Sequence, residues 1–513
     1  MRIVDRAAMQ EIDRVSIQEL GMSGELLMEG AGYETVSAFV RRFDPPAGCP
    51  VAVLCGGGNN GGDGFVIARL LRRRGFRAAV YLFVPQEKLG GTALSNYRRL
   101  ARFGVPVTDL SDQHRFDQGK AELAGYSFLI DALLGIGFRG SPRGIMGAVI
   151  DHVNSCPGRV LSVDLPSGLD ANGGQAGGLQ AVHAELTCTM GALKPGLVDF
   201  PGKQVAGLVE VLDIGFPPQA LDRVGGNCYL IDRELACSLV PPRRADAHKG
   251  TYGHLGVVGG APGYEGAGML AARAAARAGC GLVTLFLAGG RAVSKPDEII
   301  RGVLPAEPSG LLRSGADLDA LFGRQDTLVI GPGLGTFTGG PDLLGEVMRL
   351  GKKLLIDADG INNLAARPEV LRHAPPHTVL TPHIGEMARL TGKSAGEVKA
   401  GKGEVASRLS REYGVTVVLK DAVSVVASGE ELYYNQGGVP ALSKGGSGDV
   451  LSGIIASLMA RGLGSRDASL AGVYLHTECG RTAGERGWED SVQAGDLVEA
   501  LPGAFRRMRG AQR

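Results

Sequence analysis

Short, continuous apolar runs are the feature of this sequence that most restricts its fold. Up to residue 225 the runs are separated by helical patterns such as 65–74. Strands that alternate with helices in this way are buried on both faces of a parallel sheet. The pattern predicts a Rossmann-like, three-layer αβα domain. The predicted strands are 51–55, 78–84, 128–134, 160–165, 186–190 and 208–214.

A second series of apolar runs begins after a break near Val224-Gly-Gly-Asn. The break predicts a domain boundary around residue 225, and the segment 422–434 predicts a hairpin at one sheet edge. A chain of 513 residues is too long for one ordinary core. We therefore expect two α/β domains, residues 1–225 and 226–513. The second domain's predicted strands are 254–258, 282–287, 327–330, 353–356, 378–380 and 415–419.

Charge and cysteine usage restrict the partners of the chain. The formal net charge is +1, and no basic block gives the footprint of a nucleic-acid partner. The eight cysteines never fall at C-x-x-C spacing, which favours reduced thiols in a cytosol over a zinc site. No apolar run approaches the ~18 residues that a membrane span needs, and the charged first residues predict no signal peptide. We expect a cytoplasmic homo-oligomer that acts on small molecules, with no nucleic-acid or membrane partner.

A glycine-rich segment, Gly56-Gly-Gly-Asn-Asn-Gly-Gly-Asp-Gly64, follows the first predicted strand and leads into a helix. It contains G-x-G-x-x-G, which by itself is a weak signal. More specific are the polar Asn59, Asn60 and Asp63, placed in a loop whose glycines let a ligand approach the backbone. The alternative interpretation is a structural turn with Asn and Asp as caps.

Two further polar segments lie at strand ends, Asp131-Ala-Leu-Leu-Gly-Ile-Gly137 and Asp164-Leu-Pro-Ser-Gly-Leu-Asp170. Because ligands of open parallel sheets bind at the carboxyl ends of the strands, these residues should converge with the glycine-rich segment. The three motifs, in this order, resemble the NAD(P)H-hydrate epimerase family over roughly residues 1 to 217.

That resemblance implies roles for individual residues. Asn60, Asp131 and Ser167 would contribute to a potassium site. Asp164 would touch the substrate and transfer protons, which suits an epimerisation without a redox step; the alternative is that Asp164 only caps the Pro-Ser-Gly turn. The other residues that would hold the hydrate are Asn59, Asn60, Gly61, Gly62, Asp63, Gly135, Ile136, Gly137, Phe138, Arg139, Gly140 and Ser141.

In the second half, the strongest signal is the segment from Gly437 to Gly453, which contains Ser443-Lys-Gly-Gly-Ser-Gly-Asp449. The glycine-rich backbone of the four residues from Gly445 to Gly448 can orient its N–H groups toward an anion. We expect a helix that begins at Asp449. A carboxylate repels phosphate, so Asp449 is better suited to take a proton from a hydroxyl that attacks phosphorus. The alternative is an ordinary N-cap Asp.

No Walker A motif occurs, and the Gly-x-Gly-Asp stretch is similar to the ribokinase-like superfamily. Further motifs occur in order, and together they resemble the ADP-dependent (S)-NAD(P)H-hydrate dehydratase family over roughly residues 228 to 505. These motifs are Lys249-Gly-Thr-Tyr-Gly, Gly259-Gly-Ala-Pro-Gly-Tyr-Glu-Gly-Ala267, Gly331-Pro-Gly-Leu-Gly335, Asp357-Ala-Asp359, Thr381-Pro-His-Ile-Gly-Glu386 and Asn435-x-x-Gly-x-Pro.

By this resemblance, one group of residues would contact the hydrate and another would bind ADP, accompanied by magnesium. His383 alone would be read as a structural histidine, and Asp421 departs from the family's usual Gly after the lysine. The hydrate-contacting residues would be Ala267, Gly333, Gly335, His383 and Asp449. The nucleotide-binding residues would be Lys420, Asp421, Ala422, Val423, Ser424 and Gly448.

The two resemblances imply one repair activity in two steps. The first domain would interconvert the R and S hydrates of NADH and NADPH (NADHX and NADPHX). The second would dehydrate the S hydrate with ADP and release NAD(P)H, AMP and phosphate. Two alternatives stay open: a ribokinase-like kinase that phosphorylates a hydroxymethyl group, and a first domain that only binds a ligand or protein.

Overall fold

The computed structural model describes residues 1–173, 179–288, 296–305 and 317–510. The chain divides into two compact units, Met1–Gly226 and Asn227–Arg513. Each unit is an α/β fold built on its own sheet. Across the described ranges, no helix is long and apolar enough to cross a membrane.

Seven strands form the sheet that the described part of the first unit contains, in the order β3-β2-β1-β4-β5-β6-β7. All neighbouring strands are parallel. The order reverses direction between β1 and β4, so the carboxyl ends of these two strands border a crevice of the kind that binds ligands. The strands are Pro50–Cys55 (β1), Arg77–Leu82 (β2), Val107–Asp109 (β3), Phe128–Ala132 (β4), Arg159–Val163 (β5), Leu186–Met190 (β6) and Leu208–Leu212 (β7).

Helices cover both faces of this sheet. Alternate residues of β1 show the two faces, since Val51 and Val53 lie in one core and Ala52 and Leu54 in the other. The predicted three-layer αβα domain is therefore confirmed. The helices are Arg6–Arg14 (α1), Gly24–Phe43 (α2), Asn59–Arg73 (α3), Gly91–Leu100 (α4), Gln113–Gly119 (α5), Ile145–Ser155 (α6), Pro195–Val198 (α7), Gly202–Ala206 (α8) and Pro218–Val224 (α9).

Ten strands form the sheet of the second unit's described residues, in the order β11-β10-β9-β12-β13-β14-β15-β16-β17-β8. The strands from β11 to β15 are parallel, and the predicted hairpin adds the antiparallel strands β16 and β17. The hairpin does not form the edge of the sheet, because β8 pairs with β17 beyond it. The strands are Cys228–Leu230 (β8), His254–Gly259 (β9), Leu282–Ala288 (β10), Ile299–Leu304 (β11), Thr327–Ile330 (β12), Lys353–Ile356 (β13), Thr378–Leu380 (β14), Thr416–Leu419 (β15), Val425–Ser428 (β16) and Glu431–Tyr434 (β17).

This sheet too is covered on both faces, with Val418 in one core and Val417 in the other. The helices of the second unit are Arg233–Leu239 (α10), Glu265–Arg277 (α11), Leu318–Phe322 (α12), Gly340–Arg349 (α13), Asp359–Ala365 (α14), Ile384–Thr391 (α15), Ala395–Ala400 (α16), Lys402–Tyr413 (α17), Ser447–Ala460 (α18), Ser465–Arg486 (α19) and Ala494–Arg509 (α20).

Two local expectations were wrong. Residues 59–63 form the first turn of α3 and not a loop, and α18 begins at Ser447, so Asp449 lies inside its first turn. In the first case packing is the reason: a Cβ on Gly61 would lie 2.0 Å from the Gly56 carbonyl oxygen. Glycine therefore allows α3 to start directly against the preceding backbone, despite its poor helix propensity.

Candidate active sites

A cavity of about 650 Å³ opens at the carboxyl ends of β1, β4 and β5, in the first unit. Its position is the crevice at which the strand order reverses. Most of the hydrate-binding residues predicted for this unit line it, whereas Gly61, Gly62, Arg139, Gly140 and Ser141 are outside the lining. The predicted residues in the lining are Asn59, Asn60, Asp63, Gly135, Ile136, Gly137, Phe138 and Asp164.

Asp164 forms a buried ion pair at this cavity. Its Oδ1 lies 2.7 Å from Nζ of Lys194, which is fully buried and also donates to Thr189 Oγ1 and the Met190 carbonyl. Asp164 adopts φ +64°, an uncommon conformation for a residue other than glycine. Besides Lys194, the Thr189 hydroxyl and the Met190 backbone N–H donate to this carboxylate from the end of β6. The described hydrogen bonds of the Asp164 side chain therefore lead to β6 and Lys194 and not to the Pro-Ser-Gly turn.

Lys194 is a site residue that the sequence reasoning missed. The signal was present, because Ala192-Leu-Lys-Pro follows the buried strand β6 and puts one cation among apolar residues. A lysine is almost never fully buried unless it is paired. Such a lysine next to a strand end therefore indicates a buried carboxylate partner.

Two more carboxyl groups face the same cavity, Asp63 from α3 and Asp13 from α1. Burial raises the pKa of Asp63 well above its ordinary value, and the charges of Asp164 and Asp13 add to this effect. Burial, together with the charge of Asp164, raises the pKa of Asp13 to about 6. The cavity thus holds two carboxyl groups whose pKa is raised, a property that is typical of sites of acid–base chemistry.

Asn60 lines this cavity, and Asp131 and Ser167 lie behind it, fully buried and outside the lining. Ser167 donates its hydroxyl and its backbone N–H to Asp131, which is fully buried. Asn60 donates to the Leu134 carbonyl, and Leu134 in turn donates to the Ser167 hydroxyl at 2.9 Å. The Asn60 Oδ1 atom is buried and has no hydrogen-bond partner within the described ranges. The predicted set is therefore clustered, with one buried oxygen whose hydrogen-bonding capacity is unused.

Arg6 holds the loop after β4 in place. Its guanidinium donates to the carbonyls of Ile136 and Phe138, each at 2.8 Å, and pairs with Asp170 at 2.6 Å. The side chain of Arg6 is 7% exposed, so α1 is anchored directly to the loop that lines the cavity.

In the second unit, the predicted residues follow the carboxyl ends of neighbouring strands. Gly333 and Gly335 follow β12, Asp357 follows β13, His383 follows β14 and Lys420 follows β15. A Cβ on Gly333 would lie 3.1 Å from that of Ala267, so the start of α11 adjoins the turn after β12. These residues are therefore brought to one edge of the sheet, a placement that the sequence predicts for the first domain only.

Asp449 is partly buried in the first turn of α18 and accepts no hydrogen bond among the described residues. The N-cap position belongs to Gly446, so Asp449 is not a capping residue. Burial and the charge of Asp357 raise the pKa of Asp449 to about 7, against the opposite effect of Lys420. A carboxyl group that titrates near neutral pH and has no structural partner is suited to general base catalysis.

Lys420 lies between the strand ends and the start of α18. Its Nζ lies 2.7 Å from Asp357 Oδ1, and the other oxygen of Asp357 accepts the Ser452 hydroxyl at 2.6 Å. A Cβ on Gly448 would lie 3.2 Å from the same Nζ, so the ammonium group adjoins the glycine-rich start of α18. Burial alone would lower the pKa of Lys420, but Asp357 and Glu386 raise it. The ammonium is thus held charged beside the predicted phosphate-binding backbone.

The remaining predicted residues differ in what they can offer. His383 caps α15 through Nδ1, so it has a structural role, while its half-exposed ring leaves Nε2 toward Glu386. Asp421 pairs with the buried Lys402 at 3.2 Å, which explains how an acidic residue is accommodated where the family usually has glycine. The side chain of Val423 is fully buried, so only its backbone can contact a nucleotide.

Each unit thus places carboxyl groups and a glycine-rich helix start at the carboxyl ends of parallel strands, which defines an α/β enzyme with two sites. The model of the family described as NAD(P)H-hydrate dehydratase matches residues 255–503, and that described as YjeF-related protein N-terminus matches residues 24–196. The bifunctional NAD(P)H-hydrate repair enzyme of Moorella thermoacetica is 37% identical over 517 residues, 99% of this chain and 97% of the relative. The chain belongs to the family of bifunctional NAD(P)H-hydrate repair enzymes, and the resemblance found in both sets of motifs is confirmed.

Further proteins are similar to this chain. The bifunctional NAD(P)H-hydrate repair enzyme of Escherichia coli is 35% identical over 88% of this chain and 84% of the relative. A solved structure of ADP/ATP-dependent NAD(P)H-hydrate dehydratase from Bacillus subtilis, co-crystallised with ATP/Mg²⁺, is 26% identical, with a TM-score of 0.45. It covers 55% of this chain and 99% of that chain.

Proposed function

We propose that the chain repairs hydrated NAD(P)H, with an epimerase site in the first unit and an ADP-dependent dehydratase site in the second. The observation that carries the proposal is the pair of unlike carboxylates at the two sheet edges: Asp164 is paired with Lys194, and Asp449 accepts no hydrogen bond from any residue that the structure describes. The first is a carboxylate held in place by an ammonium group, and the second suits a base that takes up and releases a proton near neutral pH.

At the epimerase site, Asp164 exchanges protons with the hydroxyl or water at C6 of the hydrated nicotinamide. Opening and reclosing this centre needs acid and base assistance but no redox partner. Lys194 fixes the carboxylate in place, while the loop 135–138, anchored by Arg6, forms one wall of the substrate cavity. Asn59, Asn60 and the start of α3 supply polar groups and backbone N–H groups to the phosphates.

A potassium ion fits beside Asn60, Asp131 and Ser167. The buried Asn60 Oδ1 without a hydrogen-bond partner supports this proposal, because an unsatisfied buried oxygen is costly unless it meets a ligand. The three side chains carry one formal negative charge, which suits a large monovalent cation better than a divalent one. When bound, the cation would offset the charge of the buried Asp131 and steady the start of α3.

The potassium proposal is tested by epimer interconversion in potassium and in a large organic cation, for the parent and for Asp131→Ala. We expect the parent to slow when potassium is exchanged, and Asp131→Ala to be slow in both salts. Dehydration of the S hydrate should be unchanged in all four conditions, since the second site lies in the other unit. Equal epimerisation in the four conditions would show that Asp131 has only a structural role.

At the dehydratase site, Asp449 takes the proton of the C6 hydroxyl, and the hydroxyl oxygen attacks the terminal phosphorus of ADP. The bond to the departing AMP breaks as the new ester forms. Phosphate then leaves C6 while the ring nitrogen supplies electrons, and loss of a C5 proton restores the double bond of NAD(P)H. The backbone at Gly445 to Gly448 and the ammonium of Lys420 stabilise the charge on the transferred phosphoryl group.

Magnesium would be carried mainly by the nucleotide. No group of three or more His, Cys, Asp or Glu side chains that could hold a metal ion occurs in the described ranges. Magnesium commonly binds through one or two carboxylates plus substrate phosphates. The few carboxylates at this sheet edge are therefore enough for a magnesium ion that arrives with the nucleotide. The ion would neutralise polyphosphate charge during phosphoryl transfer.

The function is tested by giving the purified chain each hydrate epimer, with ADP, with ATP or without nucleotide, and following the absorbance of reduced nicotinamide. We expect the S hydrate plus ADP to yield NAD(P)H, AMP and inorganic phosphate, and the R hydrate to do so after epimerisation. Accumulation of a stable phosphorylated product without NAD(P)H would instead identify a kinase.

The free, buried thiols of Cys55, Cys188 and Cys479 support a cytoplasmic location. A homo-oligomeric state stays a prediction, to be checked by light scattering.

A further inference from the structure

The epimerase cavity contains a carboxyl group that the mechanism above leaves without a role. Asp13 projects from α1 into the cavity that Asp164 and Lys194 also line. Its charge interacts with both of these groups. Among the described residues, the Asp13 carboxyl accepts no hydrogen bond and forms no ion pair, so no structural role accounts for its partial burial.

The helix that carries Asp13 is a fixed wall of the cavity. Arg6 bonds the carbonyls of Ile136 and Phe138 on one side. On the other side, the backbone N–H of Val4 donates at 2.8 Å to the carbonyl of Leu193, the residue before Lys194. Helix α1 is thus anchored to two cavity segments, and Asp13 is held in a defined place near Asp164.

Inversion at C6 requires two proton-transfer groups. One must protonate the departing hydroxyl on one face of the ring, and the other must deprotonate water that arrives at the opposite face. Asp164, whose carboxylate is fixed by the Lys194 ammonium, is the first of these groups. Burial raises the pKa of Asp63 well above its ordinary value, which makes Asp63 a weaker acid and a less suitable second group. With a pKa raised to about 6, mainly by burial, Asp13 can both give and take a proton near neutral pH.

We propose that Asp13 is the second catalytic residue of the epimerase, acting on the face of C6 opposite to Asp164. This inference rests on the proposed epimerase function. Asp13 gives its proton to the 6-hydroxyl, the C6–O bond breaks with release of water, and the N1 lone pair forms a C6=N1 double bond. Water then adds to the other face as Asp164 takes its proton. One proton enters and one leaves, nothing is oxidised, and the reverse reaction exchanges the two roles.

The test compares full-length Asp13→Asn with the parent and with Glu11→Gln. Glu11 lies on the same helix, is outside the cavity lining and pairs with Arg14, so its replacement removes the same charge without touching the site. We expect Asp13→Asn to lose roughly 10²–10⁴-fold in the rate of epimer interconversion, the usual contribution of a positioned acid or base. Glu11→Gln should retain the parent rate, and all three proteins should dehydrate the S hydrate equally.

Two further measurements keep the proposal open to refutation. Asp13→Glu, which retains the acid, should recover much of the lost rate, and inversion in ¹⁸O-labelled water should place solvent oxygen at C6. An Asp13→Asn rate within about threefold of an active parent, or inverted product that keeps its original oxygen, would overturn the proposal. An inactive parent would instead contradict the epimerase function itself.

Discussion

The carboxyl groups of Asp164 and Asp449 differ in their nearest partners. Asp164 has the Lys194 ammonium at 2.7 Å, whereas Asp449 has only longer-range charges around it. The ammonium of Lys420 is bonded to Asp357. The effect of Lys420 on Asp449 therefore does not offset burial and the charge of Asp357, and the pKa of Asp449 is raised to about 7.

Asp449→Asn should abolish most of the dehydratase activity and leave nucleotide binding nearly intact. The amide keeps the shape of the side chain but cannot accept a proton, and loss of a positioned base costs roughly 10²–10⁴-fold. Turnover is measured by the formation of reduced nicotinamide, and ADP affinity by calorimetry. Asp319→Asn is the matched control, since Asp319 is an exposed residue in the first turn of α12. Near-parent turnover in Asp449→Asn would exclude Asp449 as the base.

The pH dependence of activity and of stability should both reflect the raised pKa of Asp449. The base works when ionised, so kcat/KM for dehydration should rise with pH up to about 7 and then level off. Between pH 4 and 7 the folded state holds a proton that the unfolded state has lost, so this group reduces stability as pH rises. Asp449→Asn cannot ionise, and its second unit should melt at a higher temperature than the parent at pH 8 but not at pH 4. Equal melting temperatures at pH 8 would contradict the raised pKa.

Among the elements, α3 shows why the start of a glycine-rich helix was predicted as a loop. Its first residues have poor helix propensity, but their missing side chains allow contacts that a sequence pattern cannot reveal. Gly61 lies against the Gly56 carbonyl, and a Cβ on Gly64 would lie 2.7 Å from Cys55 Sγ. Tertiary packing against β1 thus overrides local propensity. These glycine and asparagine residues still indicated where the candidate site lies. They are needed at the strand end whether the segment is a loop or the start of a helix.

Gly61→Ala should destabilise the first unit and reduce epimerisation, because the new Cβ would lie 2.0 Å from a backbone oxygen. Overpacking of this kind costs about 1–3 kcal/mol or more, since backbone must move. Gly58→Ala is the matched control for stability: Gly58 is the N-cap of the same helix, and its Cβ would meet nothing within 4 Å. Thermal unfolding of both variants measures the difference. Equal unfolding midpoints for the two variants would refute the packing explanation.

The three missed strands are edge strands with little burial. Residues 107–109 and 228–230 are only three residues long, which is too few for a periodic signal. Residues 299–304 are buried only at their two ends, so they give neither a continuous apolar run nor an alternating pattern. The long buried strands were predicted correctly because their apolar runs are continuous. Lys194 and Asp13 were missed because partners distant in sequence give them their role.

At the scale of the whole molecule, β8 determines where the chain can be divided. It follows the first unit directly in sequence but pairs with β17, about 200 residues away, in the second sheet. Tyr229 of β8 also stacks on Tyr433, with ring centroids 5.3 Å apart. The second unit therefore begins before residue 228, which the composition change near residue 225 indicated only approximately.

We predict that a cut between Gly226 and Asn227 gives two fragments that fold and act separately. Each has its own sheet, core and site, so 1–226 should interconvert the hydrates without nucleotide and 227–513 should dehydrate the S hydrate with ADP. The control fragment 231–513 lacks β8, which exposes the edge of β17 and the face of Tyr433. Loss of three backbone pairs at about 1 kcal/mol each should lower its unfolding free energy by about 3 kcal/mol. Denaturant unfolding and the two assays measure these differences. Equal stability of the two C-terminal fragments would show that β8 does not stabilise the second unit. An inert 1–226 beside an active full chain would show that the first unit depends on the second.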